Sequence, residues 1–216
     1  AVEFDVAKSR LADIFRQCAT EAAALGIAVV CEFESGFAVN RASQILAVCK
    51  AVNHPNFFVQ PDTAHFYTIA QGERQQGDKE IVSGGVVGLI EMLADFIGPS
   101  VHLIGTDGKM IVLGEQNEYI TAAHIPIRDA NDVLDWDRIV PALFAAAGSK
   151  LRDVTIDLCC WPTVLDDLQP CLETARELVK HHAGSGTMDL QEPLQLATLR
   201  QMLLGEPDVV ACLLAA

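Results

Sequence analysis

The feature of this sequence that most constrains its fold is the alternation of short apolar runs with longer amphipathic segments. A run that is apolar at consecutive positions is typical of a strand buried on both faces, as in parallel sheets covered by helices. The order is one helix, then strand and helix four times over, which is typical of parallel α/β architecture, either doubly wound or a barrel. The predicted strands are residues 27–33, 57–61, 100–104 and 153–158.

Residues that begin or end helices mark the boundaries between these strands. A leading helix ends before Gly26, a C-cap glycine, and a second helix stops before Pro55, which has no backbone N–H to continue it. Asp135 is expected to be the N-cap of a later helix. The segments 68–79 and 110–133 are predicted to be long loops. The helices that follow the four strands are predicted over residues 42–52, 80–97, 135–147 and 168–182.

Composition and charge exclude several classes of protein. Half of the residues are hydrophobic and 20% are charged, so the chain can form a core and is not expected to be disordered. Fifteen basic residues stand against 29 acidic ones, which gives a formal charge of −14. Such a surface repels phosphate backbones and anionic lipid. We therefore expect neither nucleic acid nor a membrane surface as a partner.

The cysteine pattern, the N-terminus and the length of the apolar runs indicate the cellular compartment of the protein. Seven cysteines form an odd set without a zinc-type pair, which favours reduced, buried thiols over a disulfide framework. The acidic N-terminus does not look like a signal peptide. The apolar runs are interrupted well before the ~20 residues of a membrane span. We therefore expect a soluble, cytoplasmic protein.

Residues of types that can bind metal ions lie at or near the end of each predicted strand. Glu32 closes the first strand, Asp62 follows the second, and the third and fourth contain His102 and Asp157. The carboxyl ends of parallel strands form the ligand site in such folds. Three carboxylates and one imidazole suit Mn²⁺, Mg²⁺ or Co²⁺ better than a structural zinc. In the alternative interpretation, Glu32 and Asp157 only pair with nearby Arg or Lys.

Two adjoining segments resemble a known family. The run Ala-Val-Asn-His-Pro-Asn (51–56) leads into Gln-Pro-Asp-Thr-Ala-His (60–65). This pattern resembles the xylose isomerase-like TIM-barrel superfamily of sugar isomerases and epimerases, whose DNA-repair branch includes the AP endonucleases of family 2. In that family a helix ends in His-Pro-Asn, and an apolar strand then leads to Asp-Thr-x-His. Val101-His102-Leu with Asp107, and Leu-Asp-Trp-Asp (134–137), are similar to later parts of the family pattern.

The resemblance implies a (β/α)8 TIM barrel and covers roughly residues 10–182. The four strands are similar to the last four of the family's eight, and a full barrel typically takes ~250 residues against 216 here. We therefore expect residues 1–183 to be the C-terminal half of a barrel and residues 184–216 to be a docked helical extension. The other half is expected in an N-terminal segment, a second polypeptide or a symmetry mate, and a homo-oligomer is an alternative.

The resemblance also implies roles for individual side chains. The metal ligands would be Glu32, Asp62, His102 and Asp157. Glu32 and Asp157 would double as acid/base groups on either face of a bound sugar. Asp157 departs from the usual Glu, and because it is one methylene shorter its reach for proton transfer differs.

Three further side chains are expected to bind substrate: His65 and His124 by the same resemblance, and Lys109 because it could reach a substrate hydroxyl or carboxylate. His65 and Lys109 each have a plainer interpretation that the sequence leaves open. His65 is equally consistent with a histidine that is hydrogen-bonded within its loop, and Lys109 with an exposed lysine in a turn.

The activity that the resemblance implies is isomerisation or epimerisation of a sugar or polyol. A divalent metal ion (Mn, Mg or Co, with Zn as an alternative) polarises a carbonyl, and carboxylates move a proton through an enediolate. The same constellation suits a dehydratase of the dehydroshikimate or inosose type, or a subunit that cleaves C-glycosides. A catalytically silent barrel subunit is the alternative from another class. The family's DNA-repair endonucleases are disfavoured by the −14 charge and by too few histidines for a multi-zinc cluster.

Overall fold

The computed structural model describes residues 3–75, 77–113, 119–156 and 164–182. Within these ranges, helices and strands alternate in the order that the sequence predicts, with additions. The helices are α1 (Phe4–Ala23), α2 (Ala42–Val52), α3 (Thr63–Ala70), α4 (Gly85–Leu93), α5 (Trp136–Ala147) and α6 (Val164–His182). The strands are β1 (Val29–Cys31), β2 (Phe57–Val59), β3 (Ser100–Leu103), β4 (Met110–Leu113), β5 (Tyr119–Ala122) and β6 (Asp153–Ile156).

Four of the strands run parallel and neighbour one another in the order β1, β2, β3, β6. β1 pairs with β2, and β3 pairs with β6, in both cases in parallel register. Parallel bridges from Val59 to Ile97 and from Asp62 to His102 connect β2 with β3. The parallel α/β architecture predicted from the alternation is therefore confirmed. Within the described residues, β1 and β6 each pair along one edge only.

The two faces of this sheet differ in burial. The face toward the helices is closed: Val101 and Leu103 are fully buried, and the ring of Phe57 stacks on Phe15 of α1 with ring centroids 5.0 Å apart. On the opposite face Phe58 is half-buried and Thr155 is exposed. The expectation that the strands are buried on both faces is therefore wrong for the described part of the chain, since this second face stays partly exposed at Phe58 and Thr155.

Two elements stand where the sequence predicts loops. The last residues of α3 overlap the predicted loop 68–79, and the excursion 110–133 contains the antiparallel hairpin β4–β5, with Met110 opposite Ala122. The start of α3 is stabilised by the carboxylate of Asp62, which accepts the backbone N–H of His65 at 2.9 Å. The hairpin packs closely on the loop after β1, since a Cβ at Gly36 would lie 2.0 Å from the carbonyl oxygen of Ile120.

Several boundaries differ from the predicted ones for local reasons. α2 covers the predicted residues 42–52, whereas α4 begins only after Gly84, whose φ of +82° is incompatible with a right-handed helix. Asp135 occupies the N-cap position of α5, but its side chain makes no capping hydrogen bond.

The described cysteines are free thiols, and their burial varies. Cys49 and Cys171 are buried, Cys31 is half-buried, and Cys18 is exposed, which corrects the expectation of uniformly buried thiols. Burial raises the pKa of Cys31 to about 12, and the adjacent negative charge of Glu32 contributes. Cys31 therefore remains a protonated, unreactive thiol at neutral pH.

No helix among the described residues is long and apolar enough to cross a membrane. The predicted extension over residues 184–216 lies outside the described residues, and so do residues 157 and 158 at the end of the fourth predicted strand. The domain boundary at residue 183 and the assignment of the chain to one half of a barrel stay predictions.

Candidate metal centre

Three adjacent parallel strands bring Glu32, Asp62 and His102 together. Glu32 directly follows β1, and Asp62 lies three residues after β2. His102 is within β3 and forms a parallel backbone β-bridge with Asp62. One donor atom from each of these side chains lies within 4.8 Å of the others. Three of the four predicted metal ligands thus converge at the carboxyl ends of the strands, where α/β folds bind their ligands.

The contacts inside this cluster orient its donor atoms. Glu32 Oε2 lies 2.9 Å from His102 Nδ1, and the other ring nitrogen of His102 is in contact with the side-chain amide of Gln60. Asp62 is 1% exposed, and its Oδ1 accepts the N–H of His65, which fixes the carboxylate. The side chains of Glu32 and His102 are 30% and 23% exposed, so the cluster opens toward solvent on their side.

The donor set suits a divalent cation. Two carboxylates and one imidazole offer hard oxygen and borderline nitrogen donors, the combination used by Mn²⁺, Mg²⁺ and Co²⁺ and by catalytic Zn²⁺ sites that keep an open position. A buried carboxylate such as Asp62, close to a second carboxylate, is costly unless a cation or hydrogen bonds compensate its charge. The residues present therefore fit a metal ion.

The fourth predicted ligand, Asp157, lies outside the described residues. The strand before it, β6, pairs with β3 so that Thr155 is opposite His102. The assignment of Asp157 as a ligand and as an acid/base group stays a prediction.

Two of the predicted substrate-binding side chains lie at the edge of the cluster. His65, in the first turn of α3, is 3% exposed, and its Nε2 is 3.8 Å from Glu32 Oε1. The His65 ring packs against that of His124, which follows β5, with centroids 5.2 Å apart. His65 and His124 also each have a ring nitrogen within 4.8 Å of an Asp62 oxygen. The structure therefore brings both histidines to the site.

The third predicted substrate-binding residue, Lys109, faces solvent in the turn before β4. Its side chain is 76% exposed and forms an ion pair with Asp107. Partial burial raises the pKa of Asp107, but hydrogen bonds from Lys109 and its charge outweigh that effect, so the pKa lies below its ordinary value. A contact between Lys109 and a substrate stays a prediction.

Two residues to which the sequence assigned no role contact the site. Glu34 Oε2 is 3.7 Å from His65 Nε2 and accepts a hydrogen bond from the Thr121 hydroxyl at 3.2 Å. Gln60 contacts His102. The signal for Glu34 was its spacing, because residues two apart in an extended segment point to the same side, and Glu32 points into the site.

Comparison with known proteins agrees with this fold. A family model described as "Xylose isomerase-like TIM barrel" matches residues 2–149. The chain therefore belongs to the xylose isomerase-like TIM barrel family, as the Asp-Thr-x-His segment indicates. A comparison with curated proteins gives no match.

Two solved structures share the fold. A xylose isomerase-like TIM barrel protein from Mycobacterium smegmatis, in complex with magnesium, has a TM-score of 0.53 and 12% identity over 82% of this chain and 49% of its own. The IOLI protein with a bound zinc atom has a TM-score of 0.58 and 17% identity over 84% of this chain and 59% of its own. At these identities the likeness shows the fold alone. The chain spans about half the length of the first structure.

The donor atoms of Glu32, Asp62 and His102 are consistent with a divalent metal ion as the cofactor.

Proposed function

We propose that the protein is a divalent-metal-dependent isomerase or epimerase that acts on a sugar or polyol. The observation that supports the proposal best is the convergence of Glu32, Asp62 and His102, whose donor atoms lie within 4.8 Å of one another at three neighbouring strand ends. Membership of the xylose isomerase-like family supports the same conclusion. The lyase reactions of similar constellations share the removal of a proton and differ only in the step after it.

The three side chains would hold the ion, and Asp157 would be the fourth ligand. A bound divalent cation polarises a carbonyl and its neighbouring hydroxyl, which lowers the pKa of the C–H bond between them. Asp62 is buried and fixed by the N–H of His65, so we assign it to binding alone. The choice among Mn²⁺, Mg²⁺, Co²⁺ and Zn²⁺ is left to metal analysis.

Glu32 is the proposed base because its carboxylate is both positioned and accessible. Oε2 is held by His102, whereas Oε1 points toward His65, and 30% of the side chain is exposed. A carboxylate at this place can take a proton from a substrate carbon and return it through an enediolate. His65 and His124 would orient substrate hydroxyls from the side of α3 and β5. Asp157 would act on the opposite face of the sugar.

We also propose that the four parallel strands are one part of a closed barrel. The supporting observations are the single-sided pairing of β1 and β6 in the described ranges and the partly exposed face that carries Phe58 and Thr155. Open edges of this kind are usually covered or paired. Sedimentation of the purified chain tests this part, since a well-folded monomer of 23.3 kDa with no further segment would contradict it.

Deuterium exchange tests the proposed activity whichever sugar is the product. The protein is stripped of metal, reloaded with Mn²⁺ and incubated in D₂O with a panel of ketoses and aldoses, and proton NMR then follows the hydrogen next to the carbonyl. Incorporation of deuterium, or conversion to a new sugar, is expected with Mn²⁺ and not after chelation. Glu32→Gln should abolish it, while Glu91→Gln, at an exposed position of α4, should not. If metal-loaded protein neither exchanges nor converts any sugar, the proposed activity is wrong.

A further inference from the structure

We propose that Glu34, His65 and Glu32 form a subsite that accepts one uncharged hydroxyl group of the substrate and rejects an anionic group at that position. This subsite rests on the proposed function, because it lies directly beside the metal cluster and shares Glu32 with it. It assigns a role to Glu34 and narrows the substrate class to neutral, polyhydroxylated molecules.

The separations between the three side chains match the hydrogen-bond reach of a single oxygen atom. His65 Nε2 is 3.8 Å from Glu32 Oε1 and 3.7 Å from Glu34 Oε2, and donor atoms of the three residues all lie within 4.8 Å. Separations of this length exceed a direct hydrogen bond. An oxygen placed above the plane of the three atoms can lie about 2.8 Å from each, the usual length of a hydrogen bond.

Glu32, Glu34 and His65 are also a group whose donor atoms could hold a metal ion. Because Glu32 already belongs to the cluster with Asp62 and His102, we assign the second group to the substrate. A hydroxyl group needs an acceptor for its proton and a donor for its lone pair. The triangle supplies two carboxylate oxygens and one imidazole nitrogen, so both requirements are met.

The carboxylate of Glu34 is held in this position by the hairpin. Its Oε2 accepts the hydroxyl proton of Thr121, which is 7% exposed, and the Glu34 side chain itself is only 14% exposed. Glu34 lies two residues after Glu32, so both point to the same side of the chain. Glu32 connects the metal cluster with the subsite, because its Oε2 faces His102 and its Oε1 faces His65. A group bound by Glu34 therefore lies next to the atoms that a metal would hold.

Charge determines which group this subsite accepts. A phosphate or carboxylate has no proton to donate at neutral pH and would meet the carboxylate of Glu34 in a partly buried place, where repulsion is stronger than in water. A metal ion held by Glu32 would offset the charge of Glu32, so the selectivity depends on Glu34. A hydroxyl donates its proton to Glu34 and accepts from His65. The substrate therefore carries a free hydroxyl here, and a sugar that is phosphorylated or oxidised to an acid at this position binds poorly.

Matched pairs of polyols and aldonates test this selectivity by calorimetry on the Mn²⁺-loaded protein. The pairs are xylitol with xylonate, ribitol with ribonate and sorbitol with gluconate. The wild type is expected to bind at least one polyol about tenfold or more tightly than its aldonate partner. Glu34→Gln should weaken polyol binding about tenfold, the effect of losing a charge-assisted hydrogen bond, and should improve aldonate binding. Glu91→Gln is the matched control and should change neither.

Glu34→Asp keeps the charge but shortens the reach, so it should still reject aldonates while losing affinity for polyols. The subsite is wrong if the wild type binds no polyol, if it binds aldonates as tightly as polyols, or if Glu34→Gln behaves like the control. Metal content separates this failure from that of the proposed function. If the protein binds Mn²⁺ through Glu32 and exchanges deuterium but shows no selectivity between polyols and aldonates, the proposed function stands and only the subsite is wrong.

Discussion

Asp62 combines two tasks that substitution can separate. Its Oδ1 caps α3 by accepting the N–H of His65 at 2.9 Å, and its carboxylate belongs to the cluster with Glu32 and His102. Asn retains an oxygen that can cap the helix, but it has lost the negative charge. Ala retains neither. We therefore expect Asp62→Asn to impair metal binding without loss of stability in the metal-free protein, and Asp62→Ala to impair both.

The magnitudes follow from each task. Loss of an N-cap side chain costs about 1 kcal/mol, so Asp62→Ala should lower the free energy of unfolding of the metal-free protein by about that amount, and Asp62→Asn by less than about 0.5 kcal/mol. In the wild type, Mn²⁺ at one hundred times its dissociation constant should add about 2.7 kcal/mol. If the loss of Asp62 weakens binding one hundredfold, the same Mn²⁺ concentration adds only about 0.4 kcal/mol.

Urea unfolding, followed by the fluorescence of the two tryptophans, Trp136 and Trp161, measures both free-energy terms, once with chelator and once with Mn²⁺. Asp95→Asn, at an exposed position, is the control and should behave like the wild type. If Asp62→Asn destabilises the metal-free protein as much as Asp62→Ala does, the capping argument is wrong. If Asp62→Asn retains the full stabilisation by Mn²⁺, Asp62 is not a ligand.

Three further predictions concern residues outside the cluster. Because the hydrogen bonds and charge of Lys109 lower the pKa of Asp107 in the folded state, this ion pair adds stability that is present above the unfolded pKa and is lost as pH falls through the folded one. Lys109→Met should raise the pKa of Asp107 in an NMR titration of its carboxyl carbon, and an unchanged titration would contradict the argument. Cys31, with a pKa of about 12, should resist iodoacetamide at pH 8 until the protein unfolds, whereas exposed Cys18 should react at once, as read by peptide mass spectrometry. Gly36→Ala should lower the free energy of unfolding in urea by about 1–3 kcal/mol, because its Cβ would lie 2.0 Å from a carbonyl oxygen of β5, and a neutral result would refute that close contact.

The residues that the sequence identified are those whose signal is local. Hydrophobic spacing predicted α2 at its observed bounds, and the positions of Glu32, Asp62 and His102 at or near strand ends followed from locating each apolar run. The family resemblance came from one continuous segment, the run that ends in Asp-Thr-Ala-His65. Each of these inferences depends on neighbours within about one turn of helix or one strand.

The elements that the sequence missed depend on contacts between distant positions. The hairpin β4–β5 packs on the loop after β1, and Thr121 reaches Glu34 across 87 residues of chain. Gln60 and His102 are 42 residues apart. Asp135 illustrates the converse: its residue type suits an N-cap, but its side chain makes no capping bond. Propensity describes what a residue does in isolation, and tertiary context decides which partner it takes.

The sequence by itself determined the alternation of strands and helices, the parallel sheet and the strand ends on which metal ligands stand, because hydrophobic periodicity and capping act over a few residues. Only the tertiary structure decided that Glu32 faces His102 with one oxygen and His65 with the other, and that Glu34 joins them. Those distances depend on the register between β1, β2 and β3 and on where the hairpin packs. Register and packing are set by side chains that meet only when the chain has folded, so no local pattern contains them.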